Sequence, residues 1–254
     1  MSNDDQDANW MRDLNKAAWD ANRYEAWVTT IGSPLEEAHK LRTDPAHKLR
    51  RLLPHLGEVA GQRICNIQGS HARIAVALAL LGAEVTVIDF SEENRRYGVE
   101  LAGHAGVRVA YFVSDVMEAD TLGLKPFDAL VMELGILHYH QDISRFFRVM
   151  AAIAAPGARL VLEDFHPVQR KLFNNAAPRD YFNAELVKAE VPGLGFINSA
   201  LGMTALRFWT LGDIVTSAVQ AGFVIERLQE HPDGADPAIP GTFSLIARRG
   251  SGLG

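Results

Sequence analysis

Residues 63–91 read RICNIQGSHARIAVALALLGAEVTVIDFS, and this stretch decides the architecture. Arg63–Ile67 is a short apolar run, and a turn follows at Gln68-Gly69-Ser70-His71. Residues 72–81, ARIAVALALL, favour a helix, and Gly82 suits its C-terminal cap. Glu84–Phe90 is rich in β-branched residues and reads as a buried strand. Ser91 then serves as N-cap, with Asn94 in the first turn, for a helix running to about His104. A strand, a returning helix and a second strand are the unit of a parallel sheet with helices on its faces.

Outward from that unit the rhythm continues. Val107–Val113, Phe127–Glu133 and Arg159–Asp164 read as further strands, nearly continuous in apolar residues as buried parallel strands should be. A helix at about Ile143–Ala154 ends at Pro156-Gly157. The chain closes differently. A helix at Leu211–Ala221 precedes a strand at Phe223–Leu228, a loop at His231–Pro240 and a strand at Thr242–Arg248. With no helix between them, these two strands should pair antiparallel.

The flanks complete the organisation. Residues 1–9, MSNDDQDAN, read as a disordered tail. Residues 10–58 read as a helical lid broken at Gly32-Ser33-Pro34 and near Pro45 and Pro54, with Trp19, Tyr24 and Trp27 in its first part. Residues 59–250 form the main domain. Within it, 165–210 is too long for a bare connection and reads as a cap over the strand ends. Phe165, His166, Phe173, Tyr181, Phe182, Phe196, Arg207, Phe208 and Trp209 fall there.

Composition narrows the function. The 254 residues are 48% hydrophobic and 22% charged, enough for a sizeable core, and the formal net charge is −6. Such a chain repels phosphate, so a nucleic-acid partner is not expected. The one cysteine, Cys65, permits no intrachain disulfide and no thiolate metal cluster. The longest apolar run, Ala75–Ala83, is too short to span a bilayer, so no membrane partner is expected. The acidic, polar first residues lack a secretory pattern, and the expected compartment is the cytoplasm. Nothing in the sequence indicates an oligomeric state.

Ligands of open α/β sheets bind beyond the carboxyl ends of the strands. Those ends carry Asn66-Ile67-Gln68-Gly69-Ser70-His71, Asp89-Phe90-Ser91, Ser114-Asp115-Val116, Glu133-Leu134-Gly135 and Asp164-Phe165-His166. Gly69 lets a backbone approach a ligand at a helix start, though a plain tight turn reads the same way. Asp89 ends an apolar strand about twenty residues after that glycine, where an acid accepts from both hydroxyls of a ribose. Its structural alternative is an acid at the start of the next helix. Asp115 can accept from the exocyclic amine of adenine beside Val116, or simply form a turn.

The run ICNIQGSHARIAVALALLGAEVTVIDFSEENRRYGVELA, followed by SDVM, FDALVMELGILHY and PGARLVLEDFHP, resembles class I S-adenosylmethionine-dependent methyltransferases. FWTLGDIVTSAVQAGFVIERLQE and TFSLIARR are similar to that family's closing helix and strand pair, so the resemblance covers roughly residues 55–250. It implies an α/β fold with a Rossmann-like parallel sheet, closed by an antiparallel C-terminal strand pair. It also implies S-adenosyl-L-methionine as cofactor. The loop of Asn66, Gln68, Gly69 and Ser70 would hold the methionine portion. Asp89, with Phe90 and Asn94 beside it, would hold the ribose, Asp115 and Val116 the adenine, and Glu133 and Leu134 would flank the sulfonium. The first loop departs from the family: Asn66 replaces its usual acid, and Gly69 is the loop's single glycine.

The implied chemistry is in-line displacement of a methyl group by a hydroxyl or amine of a small molecule. A base is needed, and His138 and His166 are the first candidates, with His140 behind them. Trp27, Tyr139, Phe165 and Phe208 suit the walls of an acceptor pocket. No metal is expected, since His-x-His spacing near Asp164 is weak support for one. The competing readings are a protein that binds S-adenosylmethionine or S-adenosylhomocysteine without methyl transfer, and a nicotinamide-dependent oxidoreductase. The absent G-x-G-x-x-G and the closing strand pair oppose the latter.

Overall fold

Among the described residues, nine strands fall at Arg63–Ile67 (β1), Glu84–Asp89 (β2), Val109–Val113 (β3), Phe127–Glu133 (β4), Ala154–Phe165 (β5), Leu186–Glu190 (β6), Met203–Arg207 (β7), Phe223–Pro232 (β8) and Pro240–Arg249 (β9). Seven of them form one sheet in the order β3-β2-β1-β4-β5-β9-β8. The computed structural model describes residues 3–173, 179–190 and 202–251. From β3 to β5 every pairing is parallel, and β9 runs antiparallel to both β5 and β8. The strand order reverses at β1, so the carboxyl ends of β1 and β4 diverge there and leave a crevice. This is a Rossmann-like sheet closed by the expected antiparallel pair.

The helices are Asn3–Asp20 (α1), Arg23–Ile31 (α2), Pro34–Thr43 (α3), Pro45–Lys48 (α4), Leu53–Leu56 (α5), Arg73–Leu80 (α6), Glu92–Ala105 (α7), Ile143–Ile153 (α8) and Leu211–Gln220 (α9). Pro34, Pro45 and Pro54 break the N-terminal region by starting helices, where a missing N–H costs nothing. Ser33 and Glu36 form a capping box at α3. Helix α1 begins at Asn3, within the stretch the sequence reads as a disordered tail.

One apolar layer packs Phe146, Phe147 and Met150 of α8 and Ile214 and Ala218 of α9 against the sheet. The opposite layer packs Leu41, Ala75, Leu78 and Leu101 of α3, α6 and α7 against Val85 and Val87. The sheet is thus covered on both faces, which is why its strands read as apolar runs.

Two features differ from the sequence expectation. β5 begins at Ala154 because the chain pairs with Phe127 before a register shift. The cap contains a separate antiparallel hairpin of β6 and β7. Asn15 of α1 exchanges two hydrogen bonds with the Ala205 peptide of β7, at 2.8 and 3.0 Å. The side-chain amide thereby imitates a strand peptide and ties the N-terminal region to the cap. Phe196 lies outside the described residues.

Candidate cofactor and acceptor site

The loop after β1 holds three non-glycine residues in the left-handed region at alternate positions: Gln68 (φ 46°), Ser70 (φ 48°) and Ala72 (φ 61°). Each such residue costs on the order of 1–3 kcal/mol and persists only where its surroundings fix it. Here Gln68 N–H bonds to Ile88 O, Ser70 N–H to Asp89 Oδ2, and Tyr111 Oη–H to Ser70 O. Gly69 is required for space. A Cβ on it would lie 2.6 Å from Asn66 Oδ1 and 2.9 Å from Val87 Cγ1. The glycine conformation is therefore kept at three positions without glycine, while the one glycine present solves a packing problem.

Asp89 is 4% exposed, and its carboxylate is occupied by the protein. Oδ1 accepts from Ser91 N and Asn94 Nδ2, and Oδ2 from Ser70 N. Trp27 Nε1 donates to Asn94 Oδ1 at 2.8 Å, so α2 closes over this group. Burial lifts the Asp89 pKa above the ordinary carboxylate value, against these donors.

A cavity of about 700 Å3 opens beyond β1, β2 and β3. Gln68, Phe90, Ser114, Asp115, Val116 and Met117 form one side. Tyr139–Arg145 follow β4, α1 contributes Met11, Arg12 and Asn15, and the cap contributes Arg207 and Trp209. Asp115 Oδ1 caps the following turn by accepting from Met117 N, and burial raises its pKa. Its other oxygen has no partner among the hydrogen bonds of the described residues. His140 is stacked on Phe146 and shares a 2.8 Å hydrogen bond with Gln68 Oε1, which joins the β1 and β4 loops.

A second, smaller cavity lies beside it, lined by Leu137, His138, Asp164, Phe165, Pro167, Arg170, Phe208, Trp209 and Ile214. Trp209 lines both cavities. The His138 ring is 4.4 Å from Tyr139, 5.9 Å from Phe208 and 6.4 Å from Phe165, centre to centre. Its Nε2 is buried and unpartnered. Burial, with Arg170 and His140 nearby, lowers its pKa to about 3, so the imidazole is neutral at physiological pH and its bare nitrogen can accept a hydrogen bond.

The structure brings Gln68, Phe90, Asp115, Val116 and Tyr139 to the large cavity, and His138, Phe165 and Phe208 to the small one. Asn66, Gly69, Ser70, Asp89 and Asn94 lie behind the large cavity as its support. Trp27 packs on His71 at 4.6 Å and lines neither. Glu133 pairs with Lys48 at 2.9 Å, and Leu134 turns the chain with φ 48°. His166 also stands apart. Its backbone continues the β5–β9 ladder to Gly241, Nδ1 accepts from Val168 N, and Nε2 lies 2.8 Å from Glu230 Oε1. Nδ1 is thus engaged, and Nε2 faces the Glu230 carboxylate and not a cavity. Sequence reasoning missed Met11, Arg12 and Asn15; the i, i+4 spacing of Met11 and Asn15 on one helix face was the available signal. No group of three or more His, Cys, Asp or Glu suited to a metal occurs among the described residues. No helix among them is long and apolar enough to cross a membrane.

The donor set fits the adenine end of S-adenosylmethionine. Asp115 offers an acceptor for an amine, between the apolar walls of Phe90, Val116 and Met117. Asp89 does not reach the cavity in this conformation.

Comparison with known proteins agrees with that chemistry. Residues 67–162 match the methyltransferase domain family. A ubiquinone biosynthesis O-methyltransferase from Caulobacter sp. (strain K31) is 26% identical over 102 residues, spanning 40% of this chain and 40% of that protein. The match thus takes in well under half the length of that relative. Among solved structures, an S-adenosylmethionine-dependent methyltransferase from Mesorhizobium loti has a TM-score of 0.61 at 22% identity, covering 82% of this chain and 100% of its own. Magnesium protoporphyrin IX methyltransferase from Synechocystis PCC 6803, with bound S-adenosylhomocysteine, has a TM-score of 0.61 at 16% identity, covering 94% and 99%.

Proposed function

We propose that this chain, which carries a methyltransferase domain of the class I S-adenosylmethionine-dependent type, transfers a methyl group to a hydroxyl or amine of a small molecule. The observation that supports the reading is the large cavity at the strand ends, lined by Asp115 with its apolar neighbours Phe90, Val116 and Met117 and by the aromatic rings of Tyr139 and Trp209. S-adenosylmethionine, when bound, supplies an electrophilic methyl on a sulfonium. Asp115 accepts from the adenine amine, and Phe90, Val116 and Met117 flank the ring. α1 and the cap roof the cavity and keep water from the reacting atoms. His138, held neutral and with Nε2 free, accepts a hydrogen bond from the attacking hydroxyl or amine and orients it; its lowered pKa makes it a weak base.

Calorimetry tests the cofactor: S-adenosylmethionine and S-adenosylhomocysteine should bind, and nicotinamide dinucleotides should not. Tight NAD binding without S-adenosyl binding would sink the reading. A metabolite screen with an isotopically labelled methyl group then tests transfer. Binding without any acceptor would favour the second reading, a protein that binds the ligand without catalysis. The engaged carboxylate of Asp89 is the observation on its side.

Asp115→Asn gives a sharper check. Asn keeps a cap for Met117 N but turns an NH2 toward the adenine amine. S-adenosylhomocysteine affinity should fall about tenfold, near 1.4 kcal/mol, with the melting temperature little changed. Wild-type affinity in the folded variant would remove Asp115 from the adenine site.

A further inference from the structure

Three guanidinium groups stand at the cavities without an ion pair among the described residues: Arg145, which is exposed, and Arg207 and Arg170, which are half-buried. Arg207, at the end of β7, lines the large cavity. Its guanidinium sits 4.6 Å from the Trp209 ring centre, Nη1 donates to Gln141 O at 3.0 Å, and Nε is buried and unpartnered. Arg170, in the π-helical turn Gln169–Phe173, lines the small cavity. It lies 3.7 Å over the Phe165 ring, and its Nε is likewise buried and unpartnered. Neither makes an ion pair among the described residues.

The carboxylates that could have neutralised them are committed elsewhere. Asp142 caps α8 and faces Arg148 at 3.8 Å. Asp164 shares the small cavity with Arg170 and its charge favours the guanidinium, but both its oxygens are taken by backbone N–H groups and make no direct contact with it. Asp115 caps its own turn, and Glu118 is exposed. Arg12, also at the large cavity, is paired with Asp13, so it is not a free cation there. Desolvating a cation without a counter-charge is costly, and a ligand that supplies the charge recovers that cost. The rings of Trp209 and Phe165 lie against the two guanidinium groups and help to hold them in place, while each group keeps N–H donors without a partner for an anion to meet. Two unpartnered polar atoms lie close by, His138 Nε2 and Gln141 Oε1.

We propose that the methyl acceptor is an anion, a small molecule carrying a carboxylate, and that Arg207 and Arg170 on the two cavities bounded by Trp209 select it. The acceptor's apolar body lies in the large cavity against Trp209 and Tyr139, because the small cavity, about 20 Å3, has room for little more than one water-sized group. This substrate class rests on the methyl-transfer reading, but the anion site can be measured without it.

The experiment titrates benzoate, phenylacetate and hexanoate, each beside its primary amide, into the full chain with and without S-adenosylhomocysteine, followed by calorimetry and tryptophan fluorescence. At least one carboxylate should bind about tenfold more tightly than its amide. That preference should vanish in Arg207→Gln, persist in Arg207→Lys, and weaken in Arg170→Gln. The proposal is overturned if no carboxylate outbinds its amide, or if the preference survives both Gln variants. Should Arg207→Gln fail to fold, the wild-type pairs and Arg207→Lys still decide. S-adenosylhomocysteine binding without anion preference defeats this inference alone. Anion preference without S-adenosylhomocysteine binding defeats the methyl-transfer reading and leaves the anion site standing.

Discussion

Asp164→Ala is expected to cost the fold on the order of 3–5 kcal/mol and to remove ligand binding at both cavities. The buried carboxylate of Asp164 accepts from four backbone N–H groups. Oδ1 takes those of Gly135 (2.8 Å) and Phe165 (2.7 Å), and Oδ2 those of Ile136 (3.1 Å) and Leu137 (2.9 Å). Three of these donors belong to the turn that leaves β4, where Leu134 and Gly135 have φ of 48° and 85°, and the fourth is the next residue of β5, Phe165. The same turn delivers His138, Tyr139 and His140 to the cavities. Alanine would strand four donors, at about 1–3 kcal/mol each before water enters and relieves part of the loss. Asp164→Asn keeps one acceptor oxygen and should cost less than alanine while still loosening the loop. Denaturant unfolding measures both. A loss below about 1 kcal/mol in the alanine variant would mean that the turn holds itself.

Much of this was legible in the sequence because buried parallel strands are written as apolar runs. β1 and β4 begin and end where Arg63–Ile67 and Phe127–Glu133 place them. The strand ends then indicated Gln68, Phe90, Asp115 and Val116, which do meet at the large cavity. The β6–β7 hairpin was not legible. It is short, β6 is largely solvent-exposed, and β7 is ordered in part by Asn15, 190 residues away in sequence. Nor could periodicity show that Trp27 reaches Asn94 across 67 positions, closing over Asp89. His166 occupies a strand end as Asp115 does. Its peptide remains in the β5–β9 ladder, however, so its ring turns to Val168 and Glu230 instead of a cavity. Long-range closure decides such residues, and local pattern does not carry it.

Acidification should expose that closure directly, through buried imidazoles. Burial holds His138 and His140 neutral, with pKa values lowered to about 3, and His71 is lowered as well by burial and by Arg73 and Lys48. In the unfolded chain a histidine titrates near 6.5. Between about pH 6.5 and pH 3 the unfolded state therefore binds more protons than the folded state, and stability falls as pH falls. Each such group removes up to about 1.4 kcal/mol per pH unit once the pH is below 6.5. From pH 7 to pH 5, His138 and His140 together should cost roughly 4 kcal/mol, a large share of an ordinary domain's stability. Asp89, Asp115, Glu163 and Asp164 act with the opposite sign, because burial raises their folded pKa values and favours proton uptake by the folded state. A variant separates the two effects. His140→Gln removes one titrating ring while an amide can still face Gln68. Urea unfolding of wild type and variant at half-unit steps from pH 7.5 to pH 5 should give wild type a slope steeper by about 1.4 kcal/mol per pH unit below pH 6. Equal slopes would show that His140 accepts a proton within the fold, through opening of the Gln68 contact that joins the two loops over the cavity.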